Sequence, residues 1–142
     1  MEELSDLFRS ILLSHRNSVQ EFLTDYDLYL GQPRLLFYLK DNPGLTQNDL
    51  AEFLEITKEA TSVSVRRLEK SGFIIRKTCE NDRRRNRLYV SEHGEDVLTK
   101  ISGEFDKINY KMYASLTDDE IIQLKVLFKK IKGNLEGSGD GR

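Results

Sequence analysis

Between Leu45 and Ser91 the chain lays out a short helix, a tight connection, a second helix and two strand-like runs around an arginine-rich tip. Few folds accept that order. Thr46 opens the first helix, where its hydroxyl can cap the amide of Asp49 and the Asp49 carboxylate can reach back. Leu45 and Leu50 stand where a hydrophobic staple closes. The helix spans about Gln47 to Leu54, Glu55 and Ile56 make a tight connection, and Thr57 caps a second helix running to about Ser71. Gly72 supplies its C-terminal stop. Residues 73–78 and 87–91 then read as paired strands, and Cys79-Glu80-Asn81-Asp82-Arg83-Arg84-Arg85-Asn86 reads as the tip between them.

The second of these helices breaks a local rule. Thr61, Ser62, Val63, Ser64 and Val65 are consecutive poor helix formers, and at roughly 0.5 kcal/mol each against Ala they cost about 2 kcal/mol. With Val65 on the core, Thr61, Ser64 and Leu68 lie beside it, and Glu59, Ser62, Val63, Arg66, Arg67 and Lys70 face outward. Small side chains permit close approach to a groove, and arginine reaches guanine edges or phosphates.

Charge points the same way. The formal net charge is −2, yet residues 58–87 hold ten basic groups against four acids, a net +6, leaving −8 on the other 112 residues. A basic segment in an acidic chain, with three adjacent arginines at its tip, calls for an anionic partner with a defined footprint.

The flanks are helical. Apolar groups from Leu4 to Tyr26 recur at spacings of three, four and seven, and Gly31 and Pro33 then open a second helix carrying Leu35 to Leu39. Val97, Ile101, Phe105, Ile108 and Met112 mark a long helix from about Ser91. Thr117 and Glu120 start another, whose Ile121, Leu124, Phe128, Ile131 and Leu135 alternate like a heptad seam weakened at Gly133 and Asn134. The fold class expected is mainly α with a small β-hairpin wing (α+β): a winged helix-turn-helix, about 32–92, with N- and C-terminal dimerisation helices at about 2–26 and 93–135. Residues 1–136 then make one protomer, and 137–142 a disordered tail. Three apolar stripes without a partner in one protomer point to a homodimer.

Several classes drop out. The 142 residues suit one domain, and 38 % hydrophobic residues suffice for a core. No apolar run approaches 18 residues, so no membrane partner is expected. Met1 to Asp6 begins with two acids rather than a basic n-region, which makes the cytoplasm the expected address. One cysteine and two histidines leave no metal or cofactor to expect. No His-Glu-x-x-His, Gly-x-x-x-x-Gly-Lys-Ser/Thr or Gly-x-Ser-x-Gly occurs, and no enzyme is expected.

Leu45-Thr46-Gln47-Asn48-Asp49-Leu50-Ala51, Arg67-Leu68-Glu69-Lys70-Ser71-Gly72-Phe73-Ile74, Asn81-Asp82-Arg83-Arg84-Arg85, Leu88-Tyr89-Val90-Ser91-Glu92-His93-Gly94 and Leu116-Thr117-Asp118-Asp119-Glu120 form an ordered set. In that order they resemble the MarR (multiple antibiotic resistance regulator) family of bacterial transcription factors, over nearly the whole chain. The family's Asp-x-Arg falls on Asp82 and Arg84. The resemblance implies a homodimer on double-stranded DNA, a repressor whose recognition helices enter successive major grooves while Arg84 enters the flanking minor groove. The DNA contacts expected are Thr46, Thr57, Lys58, Ser62, Val63, Arg66, Arg67, Arg83, Arg84 and Arg85. Thr61 and Ser64 depart from the pattern, because the family usually carries aliphatic residues there. Family effectors sit between the dimer helices and the DNA lobe, so a small aromatic or anionic molecule is expected near His15, Tyr26, Tyr29, Phe37 and Tyr38. Two other readings stay open: a redox-responsive regulator acting through Cys79, which has Arg76, Lys77 and Arg83 nearby in sequence, and a winged-helix protein-interaction module.

Overall fold

A computed structural model describes residues 1–78 and 86–137. Its elements run α1 (Glu2–Thr24), α2 (Gln32–Asp41), α3 (Gln47–Leu54), α4 (Lys58–Lys70), β1 (Ile74–Thr78), β2 (Asn86–Val90), α5 (Glu92–Tyr113) and α6 (Asp118–Glu136). The architecture is the expected one, mainly helical with one antiparallel hairpin. Two compact units divide the chain, Met1–Asp106 and Lys107–Arg142.

Helix α1 buries only Val19, Phe22 and Leu23, near its end, and exposes Leu4, Leu7, Phe8, Ile11 and Leu12. It stops two residues short of Tyr26 because Asp27 turns left-handed (φ 58°) and the Leu28 amide reaches back to the Leu23 carbonyl at 3.0 Å. Gly31, at φ 91°, is the N-cap of α2, which buries Leu35, Leu36 and Leu39. Gln32 is buried too, and its Oε1 accepts the Tyr29 amide at 2.7 Å.

The capping box of α3 forms as the residues dictate: the Asp49 amide donates to Thr46 Oγ1 at 3.2 Å, and the Thr46 amide donates to Asp49 Oδ2 at 3.0 Å. Helix α4 ends at Lys70, and beyond its Ser71 cap Gly72, at φ 84°, lets the Phe73 amide return to the Leu68 carbonyl at 2.8 Å. Phe73 is therefore a buried exit residue and not a strand residue. Its carbonyl accepts the Ser91 amide at 2.9 Å, and the ladder runs from Ile74 opposite Val90 to Thr78 opposite Asn86, shifting the second strand one residue earlier than the pattern suggests. Leu45 adds an isolated bridge to Leu88, which joins the turn before α3 to the hairpin.

Ser91 begins α5, its Oγ accepting the Gly94 amide at 2.9 Å and donating to the Gly72 carbonyl. Leu23, Leu28, Leu36, Leu50, Val65, Phe73, Leu88, Leu98 and Ile101 form the core of the first unit. In the second unit, α6 has its own capping box from Thr117 and Glu120. It continues through Gly133 and Asn134 to Glu136 and buries none of its side chains. Among the described residues no helix is long and apolar enough to cross a membrane.

Candidate nucleic-acid interface

Helix α4 is set by its inward face. Thr61, Val65 and Leu68 are buried, and the one hydroxyl among them is satisfied locally, since Thr61 Oγ1 donates to the Thr57 carbonyl at 2.9 Å. The Thr57 cap, whose Oγ1 accepts the Ala60 amide at 3.0 Å, and the burial of Thr61, Val65 and Leu68 hold a run of poor helix formers in helix.

The opposite face carries residues expected from the sequence to contact DNA. Thr57, Lys58, Val63, Arg66 and Arg67 are exposed and Ser62 is half-buried. Arg66 Nη2 lies 3.5 Å from Ser62 Oγ, the outer limit of a hydrogen bond. Among the described residues, Lys58, Arg66, Arg67 and Lys70 make no ion pair, so α4 presents cations free to meet an external anion. Thr46, at the N-cap of α3, uses its hydroxyl oxygen as the capping acceptor and keeps its own hydrogen to donate.

Arg76 behaves differently, and the sequence pattern passes over it. Its Nε and Nη2 donate to Glu69 Oε2 and Oε1 at 3.2 and 2.6 Å, and Nη2 also donates to Gln47 Oε1 at 2.8 Å. The Glu69 hydrogen bonds hold the guanidinium above its ordinary pKa, against a smaller opposing effect of burial. Thr46, Gln47, Asn48, Asp49, Arg76, Asn86 and Arg87 line a polar groove of about 590 Å³. Arg87 Nη1 donates to the Gly44 carbonyl at 2.9 Å, and the Lys77 ammonium lies 5.0 Å from the Tyr89 ring centroid. A period-2 reading could have flagged Arg76, because it shares a strand face with buried Ile74.

Arg83, Arg84 and Arg85 lie outside the described residues, as do Cys79 and Asp82. The aromatic set is dispersed over different surroundings. Tyr38 packs edge-on against Phe53, whose ring also carries the Arg34 guanidinium at 4.9 Å. Tyr29 is 62 % exposed and lines a cleft of about 480 Å³ with Asp27, Gln32, Arg67, Lys70 and Ser71. His15, Tyr26 and Phe37 are half-buried. Among the described residues no three His, Cys, Asp or Glu side chains gather as metal ligands.

Comparison with known proteins adds to this geometry. A sequence model of the MarR family matches residues 26–85. The uncharacterized HTH-type transcriptional regulator YybA of Bacillus subtilis (strain 168) is 25 % identical over 136 residues, covering 94 % of this chain and 91 % of YybA. The crystal structure of MarR superposes with a TM-score of 0.75 and 29 % identity, covering 93 % of this chain and 96 % of that one. The complex of Staphylococcus aureus MepR with DNA gives 0.74 and 28 %, with the same two shares of coverage.

Proposed function

We propose that the chain is a regulator of the MarR family, a homodimeric repressor that binds a pseudo-palindromic stretch of double-stranded DNA. The observation that carries this reading is the outward face of α4, where Lys58, Arg66 and Arg67 surround Ser62 and Val63 without internal carboxylate partners among the described residues. Such a face enters a major groove, with small side chains allowing approach and arginines supplying donors. Thr46 and Thr57 donate to backbone phosphate at the two helix starts, and Arg83, Arg84 and Arg85 add contacts beside the groove.

The homodimer is supported by apolar surface. Leu4, Leu7, Phe8 and Ile11 of α1 are more than half exposed. In the second unit a groove of about 330 Å³ is lined by Tyr113, Ile121, Leu124 and Phe128 with three lysines. Two-fold pairing sets the recognition helices one turn of duplex apart, about 10 base pairs. A dimer so placed covers promoter DNA against polymerase, which is repression, and the place of action is the cytoplasm. An aromatic or anionic effector held near His15, Tyr26, Tyr29, Phe37 and Tyr38 releases DNA to the extent that it prefers the non-binding spacing of the two helices.

The test is fluorescence anisotropy with selected and scrambled duplexes across a salt series. Arg66→Ala should relax preference at particular base pairs by about 1–3 kcal/mol, the worth of a bidentate base contact. Arg84→Ala should weaken all sequences and reduce the salt slope by about one. Equal affinity for selected and scrambled duplexes would refute sequence-specific regulation.

A further inference from the structure

We propose that Arg76 is a positioning residue: its guanidinium locks the β1–β2 hairpin to α4 through Glu69 and to α3 through Gln47, so that hairpin and reading helix meet the duplex as one body. The proposal rests on the DNA-binding reading above and adds a residue which that reading does not use.

The geometry is that of a clamp. The two oxygens of Glu69 take the Nε and Nη2 hydrogens at 3.2 and 2.6 Å, and a further Nη2 bond reaches Gln47 at 2.8 Å. A guanidinium is planar and its donors are fixed in a fork, so three such bonds specify orientation as well as distance. The partners lie seven and 29 residues away in sequence, on α4 and at the first residue of α3. Arg76 stands opposite Leu88 in the ladder, on the face of the hairpin that Leu88 buries. It therefore reaches inward to the two helices, whereas Lys77, the next residue, lies over the Tyr89 ring.

Charge separates Arg76 from its neighbours. Among the described residues Lys58, Arg66, Arg67 and Lys70 have no ion pair, but Arg76 is neutralised by a carboxylate whose side chain is 28 % exposed. A cation already paired releases no counterions from DNA, and so adds nothing to the salt dependence of binding. Loss of a phosphate contact lowers that slope by about one; loss of a clamp lowers affinity and leaves the slope alone.

The experiment compares wild type, Arg76→Ala, Arg76→Lys and Glu69→Gln in two measurements. Amide exchange in the DNA-free protein should quicken by about tenfold over residues 74–78 and 86–90 in Arg76→Ala, as expected for losing hydrogen bonds to a charged group. Affinity for the selected duplex should fall by about tenfold in the same variant with an unchanged salt slope. Arg76→Lys, which keeps the charge but not the fork, should fall between. Unchanged hairpin exchange overturns the clamp. A slope lower by about one also overturns it, because Arg76 is then a phosphate contact. If wild type binds no duplex, the DNA reading fails while the exchange measurement still decides the clamp. If Arg76→Ala does not fold, Glu69→Gln carries the exchange measurement, which decides the clamp without reference to the salt slope.

Discussion

Gly94→Ala and Gly103→Ala place the same methyl group in the same helix, and the structure requires opposite outcomes. A Cβ built on Gly94 would lie 2.6 Å from the Phe73 carbonyl oxygen and 2.7 Å from Val90 Cγ1. Ordinary contacts of that kind begin near 3.4 Å. The obstacle cannot step aside cheaply, since the Phe73 carbonyl is backbone and accepts the Ser91 amide at 2.9 Å. Val90 is held in register with Ile74. Overpacking of this sort costs about 1–3 kcal/mol, and obstacles tied to the backbone argue for the upper end. Alanine regains about 1 kcal/mol of helix propensity, leaving a net loss of about 2 kcal/mol. At Gly103 nothing lies within 4 Å of the added atom, so the propensity gain of about 1 kcal/mol stands alone. Urea unfolding at one fixed protein concentration measures both, with the midpoints compared at equal m-value. A Gly94→Ala variant as stable as wild type would refute the reasoning, because it would mean that α5 can shift on the hairpin at no cost.

Three further outcomes follow from local geometry. Thr57→Ala removes the α4 cap and should lower stability by about 1 kcal/mol in thermal melts; an unchanged melting temperature would show that Thr61 and core burial suffice. Hydrogen bonds from the Thr117 amide, and then its hydroxyl, hold the Glu120 carboxyl below its ordinary pKa. Its stabilisation is therefore present above the unfolded value and lost as pH falls through the folded one, so Glu120→Gln should flatten the acid limb of a stability–pH profile. Light scattering should give about 33 kDa, twice the 16.5 kDa chain, and a folded monomer at micromolar concentration would contradict the homodimer.

What the sequence made legible was mostly local. The capping boxes at Thr46 and Thr117 and the left-handed stop at Gly72 involve residues three or four apart, and all appear as expected. The outward face of α4 was legible because helical periodicity needs only one inward residue, Val65, to fix the rest. Element ends were less so. Tyr26 falls outside α1 because of the Leu28-to-Leu23 hydrogen bond, and Phe73 leaves β1 because its amide turns back to the Leu68 carbonyl at the end of α4. The pairing of Arg76 on β1 with Glu69 on α4 follows no helical or strand spacing, and it appears only once the hairpin is set against the helix. The sequence also showed the stripe of α6, but not that its own chain buries none of it.

That last feature reaches beyond assembly. A 19-residue helix with no fully buried side chain draws little tertiary support within its own unit, and helices in proteins hold mainly by packing. In the proposed homodimer α6 is then as durable as the association itself, and its folded fraction follows protein concentration by mass action. A chain synthesised into a dilute pool shows Ile122, Phe128, Ile131 and Leu135 to solvent, the kind of surface that chaperones and proteases triage. In the proposed homodimer, copy number thus bears on how long each molecule stays folded.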